Sequence, residues 1–238
     1  MSEEGYYVVC PDIVGRGESD HLVNPARYGV PQYVEDMKCL VEHLGATSVQ
    51  WLGTSMGGLI GMLYASMPGN PIKRMIINDI GPRIEREALE RLGTYVGKAM
   101  EFDTEAEGLV YMQEICAKIG RHTVEEWNAI NGPMLKQQQG DNGKWGLHYD
   151  LRIGEAFATF DPQSADAGEK VMWEWYRACT VPVLVVRGGA SDLLSAATVE
   201  QMKRENPMAD SIELPAVGHA PTFWTSEQIN IAKDFFRP

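Results

Sequence analysis

The most informative segment of the sequence is Val49-Gln50-Trp51-Leu52-Gly53-Thr54-Ser55-Met56-Gly57-Gly58-Leu59-Ile60-Gly61-Met62-Leu63. Its first four residues are rich in β-branched and aromatic side chains, which predicts a strand. From residue 59 to residue 67 the chain is apolar without a β-branched run, which predicts a buried helix. Residues 53–57 lie between them and fit the pattern G-x-S-x-G, which places Ser55 at a sharp turn from strand to helix.

The chemistry of such a turn explains this spacing. A serine there has a strained backbone, and the strand and the helix come very close. We expect glycine at both Gly53 and Gly57 because a Cβ at either position would collide with the opposite backbone. The Ser55 hydroxyl would then stand at the head of a helix, where free N–H groups favour a developing negative charge. The pentapeptide alone also fits a plain glycine-rich turn.

Length and charge narrow the class of protein. The 238 residues carry 21 Lys and Arg against 33 Asp and Glu, a net charge of −12, and could form one α/β domain with an insertion. A surface this acidic repels phosphate backbones and anionic lipid, so we expect neither nucleic acid nor membrane as a partner. No apolar run approaches the roughly 20 residues that span a bilayer, and the first residues do not resemble a secretory signal.

The cysteines bear on compartment and metal binding. Cys10, Cys39, Cys116 and Cys179 are widely scattered, without C-x-x-C pairing and without histidines at ligand spacing. This usage indicates reduced thiols in a cytoplasmic protein and no structural metal site.

Strand and helix patterns alternate along most of the chain. Strands are predicted at residues 6–10, 49–52, 75–78, 182–186 and 211–214. Helical segments separate them, which predicts a parallel sheet whose functional loops follow the carboxyl ends of the strands.

Residues 82–179 break this alternation. The segment shows helical stretches, no convincing strand, and a loop at residues 140–143. We interpret it as a helical insertion that covers another part of the molecule. A plain helical subdomain whose tryptophans form only its core is the alternative.

Ser55, Asp192 and His219 all fall in loops at the predicted carboxyl edge of the sheet. Their order, Ser then Asp then His, resembles that of the α/β-hydrolases. Four motifs carry the resemblance: the D-x-x-G-x-G-x-S loop at residues 12–19, the elbow at 53–58, the acid loop at 187–192 and the histidine loop at 218–221. It covers essentially the whole chain. It implies an α/β fold with a mostly parallel sheet flanked by helices, formed by residues 1–81 and 180–238, and a helical cap at 82–179.

The resemblance also implies roles for these residues. Ser55 would be the nucleophile, His219 the general base and later the acid, and Asp192 the orienting carboxylate. Asp79 is the runner-up for the acid, because some members of the family carry it after the preceding strand. We therefore expect Asp192→Asn to cost far more activity than Asp79→Asn. The N–H of Met56 would donate to the oxyanion.

One departure from the family pattern concerns the oxyanion site. The family has about three strands before the one predicted at residues 6–10, and a His-Gly loop after the last of them supplies a second oxyanion donor. The sequence lacks such a segment. The missing strand would leave a gap in the middle of the sheet, unless the two flanking strands close up or another chain supplies a strand. We favour a truncated chain, and expect weak activity and a tendency to form homodimers or aggregates.

The predicted function is cofactor-independent hydrolysis of a carboxylic ester or related acyl compound, with a small molecule as the only substrate partner. Carbon–carbon bond hydrolysis, thioesterase, lactonase and perhydrolase reactions use the same residues. Aromatic and methionine side chains in the insertion favour an apolar or aromatic acyl group. The alternative from another class is a non-catalytic binding protein on a hydrolase scaffold, which a fluorophosphonate probe of Ser55 would distinguish.

Overall fold

The computed structural model describes residues 1–138, 143–155 and 162–237. Of the predicted loop at 140–143, residues 140–142 lie outside the described residues. The helices and strands in chain order are α1 (Val30–His43), β1 (Val49–Thr54), α2 (Met56–Ser66), β2 (Ile72–Asn78), α3 (Arg86–Tyr95), β3 (Glu101–Phe102), α4 (Glu105–Cys116), α5 (Val124–Asn131), β4 (Leu135–Gln137), β5 (Trp145–Leu147), α6 (Pro162–Ala178), β6 (Val183–Gly188), α7 (Ala196–Glu205), β7 (Ala209–Leu214) and α8 (Ser226–Phe236).

The main sheet has four parallel strands in the order β1-β2-β6-β7. The register sets Asn78 of β2 opposite Thr54 of β1 and Val186 of β6. The carboxyl ends of these strands therefore lie at one edge, where the loops after them can meet. The predicted α/β class, with a mostly parallel sheet between helices, is confirmed.

The central strand β2 is covered on both faces, as a parallel strand in an α/β protein is. Met75 and Ile77 belong to the larger core, into which α1, α2, α6 and α7 send side chains. Ile76, between them, belongs to the core on the opposite face, together with Phe236 of α8. All three β2 side chains are fully buried, so the sheet holds the carboxyl end of β2 rigidly.

The strand predicted at residues 6–10 is wrong. The described residues contain no strand there, and Tyr7 is 86% exposed while Val8 and Val9 are also exposed. Among the described residues, β1 is the edge strand of the main sheet and residues 6–10 pair with no strand. Strand-forming composition without a partner's hydrogen bonds does not produce a strand.

The insertion at 82–179 contains strands, contrary to the expectation that it is wholly helical. β3, β5 and β4 form a small antiparallel sheet, which packs on α4 through Phe102, Met112 and Leu135. Strands of two or three residues are too short to show a period in the sequence. Helix α6, although inside the same range, contributes Trp173 and Tyr176 to the main core. The division of the chain at residues 82 and 179 stays a prediction.

A buried carboxylate joins the insertion to the first loop of the chain. Asp150 accepts a hydrogen bond of 2.6 Å from the Tyr28 hydroxyl and is bound by Arg152. The Arg152 hydrogen bonds hold the pKa of the Asp150 carboxyl well below its usual range. In the part of the chain that the structure describes, no helix is both long and apolar enough to cross a bilayer.

Candidate active site

Ser55 occupies the turn between β1 and α2, as the motif predicts. Its backbone has φ 50° and ψ −117°, a strained conformation for a non-glycine residue. A Cβ on Gly53 would lie 2.1 Å from the carbonyl oxygen of Gly57, so the close approach of strand and helix requires glycine there. The matching expectation for Gly57 is wrong. A Cβ on Gly57 would meet no atom within 4 Å, because that position faces open space.

His219 lies between Ser55 and a carboxylate. Its Nε2 is 3.0 Å from the Ser55 Oγ, and its Nδ1 is 2.8 Å from Oδ2 of Asp79. The imidazole follows β7, whereas Ser55 follows β1 and Asp79 follows β2. Three strand ends thus contribute one side chain each, and the two ring nitrogens face a hydroxyl and a carboxylate. A histidine held in this way can accept a proton from the hydroxyl while the carboxylate stabilises the resulting cation.

Asp79 is fixed in place by hydrogen bonds from neutral groups. It is fully buried, and its backbone N–H donates to Val186 of the adjacent strand at 2.8 Å. Its Oδ1 accepts the Gly188 N–H at 2.8 Å, and its Oδ2 accepts the Ser191 hydroxyl at 2.6 Å. These donors orient the carboxylate without cancelling its charge.

Asp192, the predicted acid, does not contact His219. Arg91 of α3 donates to both of its carboxylate oxygens, at 3.1 and 3.0 Å. The Nζ of Lys118 lies 3.1 Å from Oδ2. Partial burial opposes ionisation, but the Lys118 and Arg91 hydrogen bonds outweigh it and hold the pKa of Asp192 below its ordinary value. The placement of Asp192 beside the histidine is therefore wrong, and the runner-up Asp79 takes that position.

The strained backbone positions mark the same region. Among the described residues, four non-glycine residues have positive φ: Ser55, Asp79, Ala216 and Phe223. Two of them are members of the cluster, and the other two lie three and four residues from His219. Strain of this kind persists only where the surrounding structure over-determines it, and it gathers at functional sites.

Met56 is the first residue of α2. The hydrogen bonds to the carbonyl of Ser55 come from Gly58 and Leu59, and the N–H of Met56 precedes them in the first turn. First-turn N–H groups have no partner within their helix. Among the described residues no acceptor is found for the Met56 N–H, and its role as an oxyanion donor stays a prediction.

The insertion touches the histidine loop directly. The Gly218 N–H donates to the carbonyl of Lys118 at 2.7 Å, and a Cβ on Gly218 would lie 2.3 Å from that oxygen. A segment of the insertion therefore packs on the residue just before His219. No group of three or more His, Cys, Asp or Glu side chains within the described ranges is placed to hold a metal ion.

Sequence reasoning did not assign a site role to Ser191 or Gly188, which hold Asp79. Gly188 is the last residue of β6 and Ser191 lies in the loop after it, within the segment that the motif assigned to the acid itself. The signal that could have identified them is strand adjacency. Since β2 and β6 are neighbours, whatever follows one strand contacts whatever follows the other.

Comparison with known proteins agrees with this architecture. A family model described as alpha/beta hydrolase fold matches residues 1–225. The chain is 47% identical over 232 residues to a 3-hydroxybutyrate-oligomer hydrolase of Cupriavidus necator, covering 97% of this chain and 79% of that protein. It is 25% identical to a 2-(acetamidomethylene)succinate hydrolase of Mesorhizobium japonicum, covering 90% of this chain and 72% of that protein.

A crystal structure of an alpha/beta hydrolase from Novosphingobium aromaticivorans superposes with a TM-score of 0.81 at 32% identity. The superposition covers 95% of this chain and 78% of the Novosphingobium chain. The match of nearly the whole chain to the family model and to these relatives shows that the chain belongs to the alpha/beta hydrolase fold family.

Proposed function

We propose that this chain hydrolyses carboxylic esters through an acyl-enzyme on Ser55, with His219 as general base and acid and Asp79 as the orienting carboxylate. The observation that carries the proposal is the pair of contacts on His219, 3.0 Å from Nε2 to the Ser55 hydroxyl and 2.8 Å from Nδ1 to Asp79. This is the arrangement that activates a serine for attack on a carbonyl carbon.

In the first half of the reaction, the Ser55 Oγ attacks the ester carbonyl and its proton passes to Nε2 of His219. The N–H of Met56 donates to the oxyanion of the tetrahedral intermediate. The C–O bond to the alcohol breaks, and the alcohol oxygen takes the proton from Nε2. In the second half, water gives a proton to Nε2 and attacks the acyl-serine. The free acid leaves and the proton returns to Ser55. Asp79 accepts the hydrogen bond from Nδ1–H in both halves and stabilises the imidazolium that forms.

The candidate substrate class is a short ester of a 3-hydroxy acid. Its support is the relative from Cupriavidus necator, named as acting on 3-hydroxybutyrate oligomers, which is 47% identical over almost all of this chain. Cleavage of such an oligomer releases a hydroxyl on one product and a carboxylate on the other, so a serine acyl-transfer site needs no further chemistry. An apolar or aromatic acyl group, favoured by the side chains of the insertion, is the competing substrate class.

The test is labelling and turnover measured on the same protein. We expect a fluorophosphonate probe to label Ser55 of the wild-type chain and not of Ser55→Ala. We expect the 3-hydroxybutyrate dimer to be cleaved faster than an aryl ester of benzoate, with turnover lost in the alanine variant. A folded wild-type protein that is neither labelled nor active would favour the binding-protein alternative. Labelling with faster cleavage of the aromatic ester would keep the mechanism and overturn the substrate class.

A further inference from the structure

The loop after β6 contains two serines with different partners. Ser191 Oγ lies 2.6 Å from Oδ2 of Asp79. Ser195 Oγ instead accepts the N–H of Thr198 at 3.3 Å and lies 3.0 Å from the Thr198 hydroxyl, where it caps α7. The contact of Ser195 with Thr198 is an ordinary helix cap. The contact of Ser191 with Asp79 requires a different explanation, because the Gly188 N–H already holds the Asp79 carboxylate.

The hydrogen bonds around Ser191 fix the direction of its hydroxyl. The N–H groups of Leu193 and Leu194 both donate to Ser191 Oγ, at 3.2 Å each. A serine hydroxyl has two acceptor sites and one proton. With both acceptor sites occupied, the single proton goes to Asp79. Leu193 and Leu194 are buried in the main core, so the loop that carries this proton is anchored.

The oxygen that receives this proton is the one that faces the histidine. Oδ2 of Asp79 accepts from Ser191 at 2.6 Å and lies 2.8 Å from Nδ1 of His219, while Oδ1 is bound by the Gly188 N–H. The serine and the imidazole therefore share one carboxylate oxygen. Because the serine donor is fixed, it determines where Oδ2 stands relative to the ring.

Resting on the function proposed above, we propose that Ser191 is a positioning residue for the reaction. Its hydroxyl holds the Asp79 carboxylate in line with Nδ1 of His219, and it acts on the substrate only through that pair. Misplacing a catalytic group by about 1 Å can cost roughly 100-fold in rate. Loss of this donor should therefore lower kcat and leave KM unchanged, since Ser191 binds Asp79 and not the ester.

The experiment compares Ser191→Ala with Ser195→Ala on the 3-hydroxybutyrate dimer. We expect Ser191→Ala to lower kcat about 10- to 100-fold at constant KM. The acid limb of its kcat/KM profile should move to higher pH, because the imidazolium no longer shares Oδ2 with a second donor. Ser191→Thr, which keeps the hydroxyl, should restore kcat to within about threefold. Ser195→Ala should lower the melting temperature through the lost cap and keep kcat and the pH profile of the wild type.

If Ser191→Ala lowers only the melting temperature, as Ser195→Ala should, the proposal is overturned. Ser191 then only stabilises the conformation of its loop. Asp79→Asn, measured in parallel, separates this failure from failure of the proposed function. If Asp79→Asn keeps full activity, the acid itself is misassigned. If Asp79→Asn is inactive while Ser191→Ala is normal, only the inference about Ser191 fails.

A pair of double variants tests the same geometry if Ser191→Ala does not fold. A carboxylate at position 191 would extend one atom beyond the serine oxygen, towards the place that Asp79 Oδ2 now occupies. We expect Asp79→Asn/Ser191→Asp to be at least about tenfold more active than Asp79→Asn/Ser191→Asn, which has the same shape without the charge. Equal activities of the two double variants would contradict the proposed placement of position 191 beside the carboxylate oxygen that faces His219.

Discussion

Asp79 and Asp192 each follow a strand of the main sheet, yet their surroundings differ in kind. Asp79 is fully buried and accepts hydrogen bonds from a backbone N–H, a hydroxyl and an imidazole. The Asp192 side chain is 30% exposed and binds two permanent cations, Arg91 and Lys118. Only the first keeps its negative charge free for the histidine that becomes positive in the proposed reaction.

An orienting acid needs more than a position at the edge of the sheet. A carboxylate that is already paired with a guanidinium and an ammonium gains little from a third cation, and its oxygens are occupied. Neutral donors fix a carboxylate equally well and leave its charge uncompensated until the imidazole is protonated. The ion pairs of Asp192 instead join α3 and the segment after α4 to the loop after β6.

Substitution of the two aspartates should change the activity by very different amounts. Asp79→Asn should lower kcat/KM about 10⁴-fold, because an amide no longer holds His219 in the required tautomer. Asp192→Asn should stay within about tenfold of the wild type, since it loses partly exposed ion pairs that do not contact His219. Ester hydrolysis by both purified variants, with their folds compared by circular dichroism, provides the measurement. The reverse order would return the acid to Asp192, as the sequence predicted.

Asp192 could be unable to orient His219 because it lies too far away, or only because Arg91 and Lys118 bind its carboxylate. In the Asp79→Asn background, Arg91→Met and Lys118→Met would free the Asp192 carboxylate. We expect less than about tenfold recovery of kcat/KM, because Ser191 and not Asp192 is the residue of that loop that reaches the site. The matched comparison is Asp79→Asn/Ser191→Asp. Larger recovery in the cation-free variant would show that Asp192 can move to the histidine.

The acid also marks the limit of what the sequence could predict. The strand-turn-helix pattern around Ser55 is local, and the order of the motifs placed His219 at the same edge. The choice between two acids depends on which strand lies beside which. That is a long-range property of the sheet, and Asp192 matched the local motif as well as any residue could. Residues 6–10 failed for the same reason, since strand composition does not reveal whether a pairing partner is present.

A third prediction concerns stability and its dependence on pH. The pKa of Asp192 is lowered in the folded chain, so its stabilising contribution is complete above the unfolded value of about 3.9 and is lost as the pH falls through the folded value. We expect Asp192→Asn to lower the free energy of unfolding by up to about 1 kcal/mol at pH 7. The difference from the wild type should shrink at pH 3.5. Urea unfolding of both proteins at the two pH values would show it, and a difference that grows in acid would contradict the ion-pair assignment.

The two cations that bind Asp192 should contribute unequally to the stability of the chain. Arg91 is one-third exposed and donates from two nitrogens, whereas Lys118 is 63% exposed and donates from one. A bidentate, less solvated pair is the stronger, so Arg91→Gln should destabilise the chain more than Lys118→Gln, whose cost we expect at about 0.3 kcal/mol or less.

The Lys118 variant should also keep its activity. The contact of this segment with the histidine loop uses the Lys118 carbonyl oxygen, which accepts the Gly218 N–H, and a side-chain substitution leaves that oxygen in place. Urea unfolding and ester hydrolysis of both variants at low salt and at 1 M NaCl would test this. Because the Debye length falls to about 3 Å at 1 M, the stability difference between the variants should narrow there. If only Lys118→Gln lost activity, the Lys118 ammonium group would have to bind the substrate in addition to Asp192.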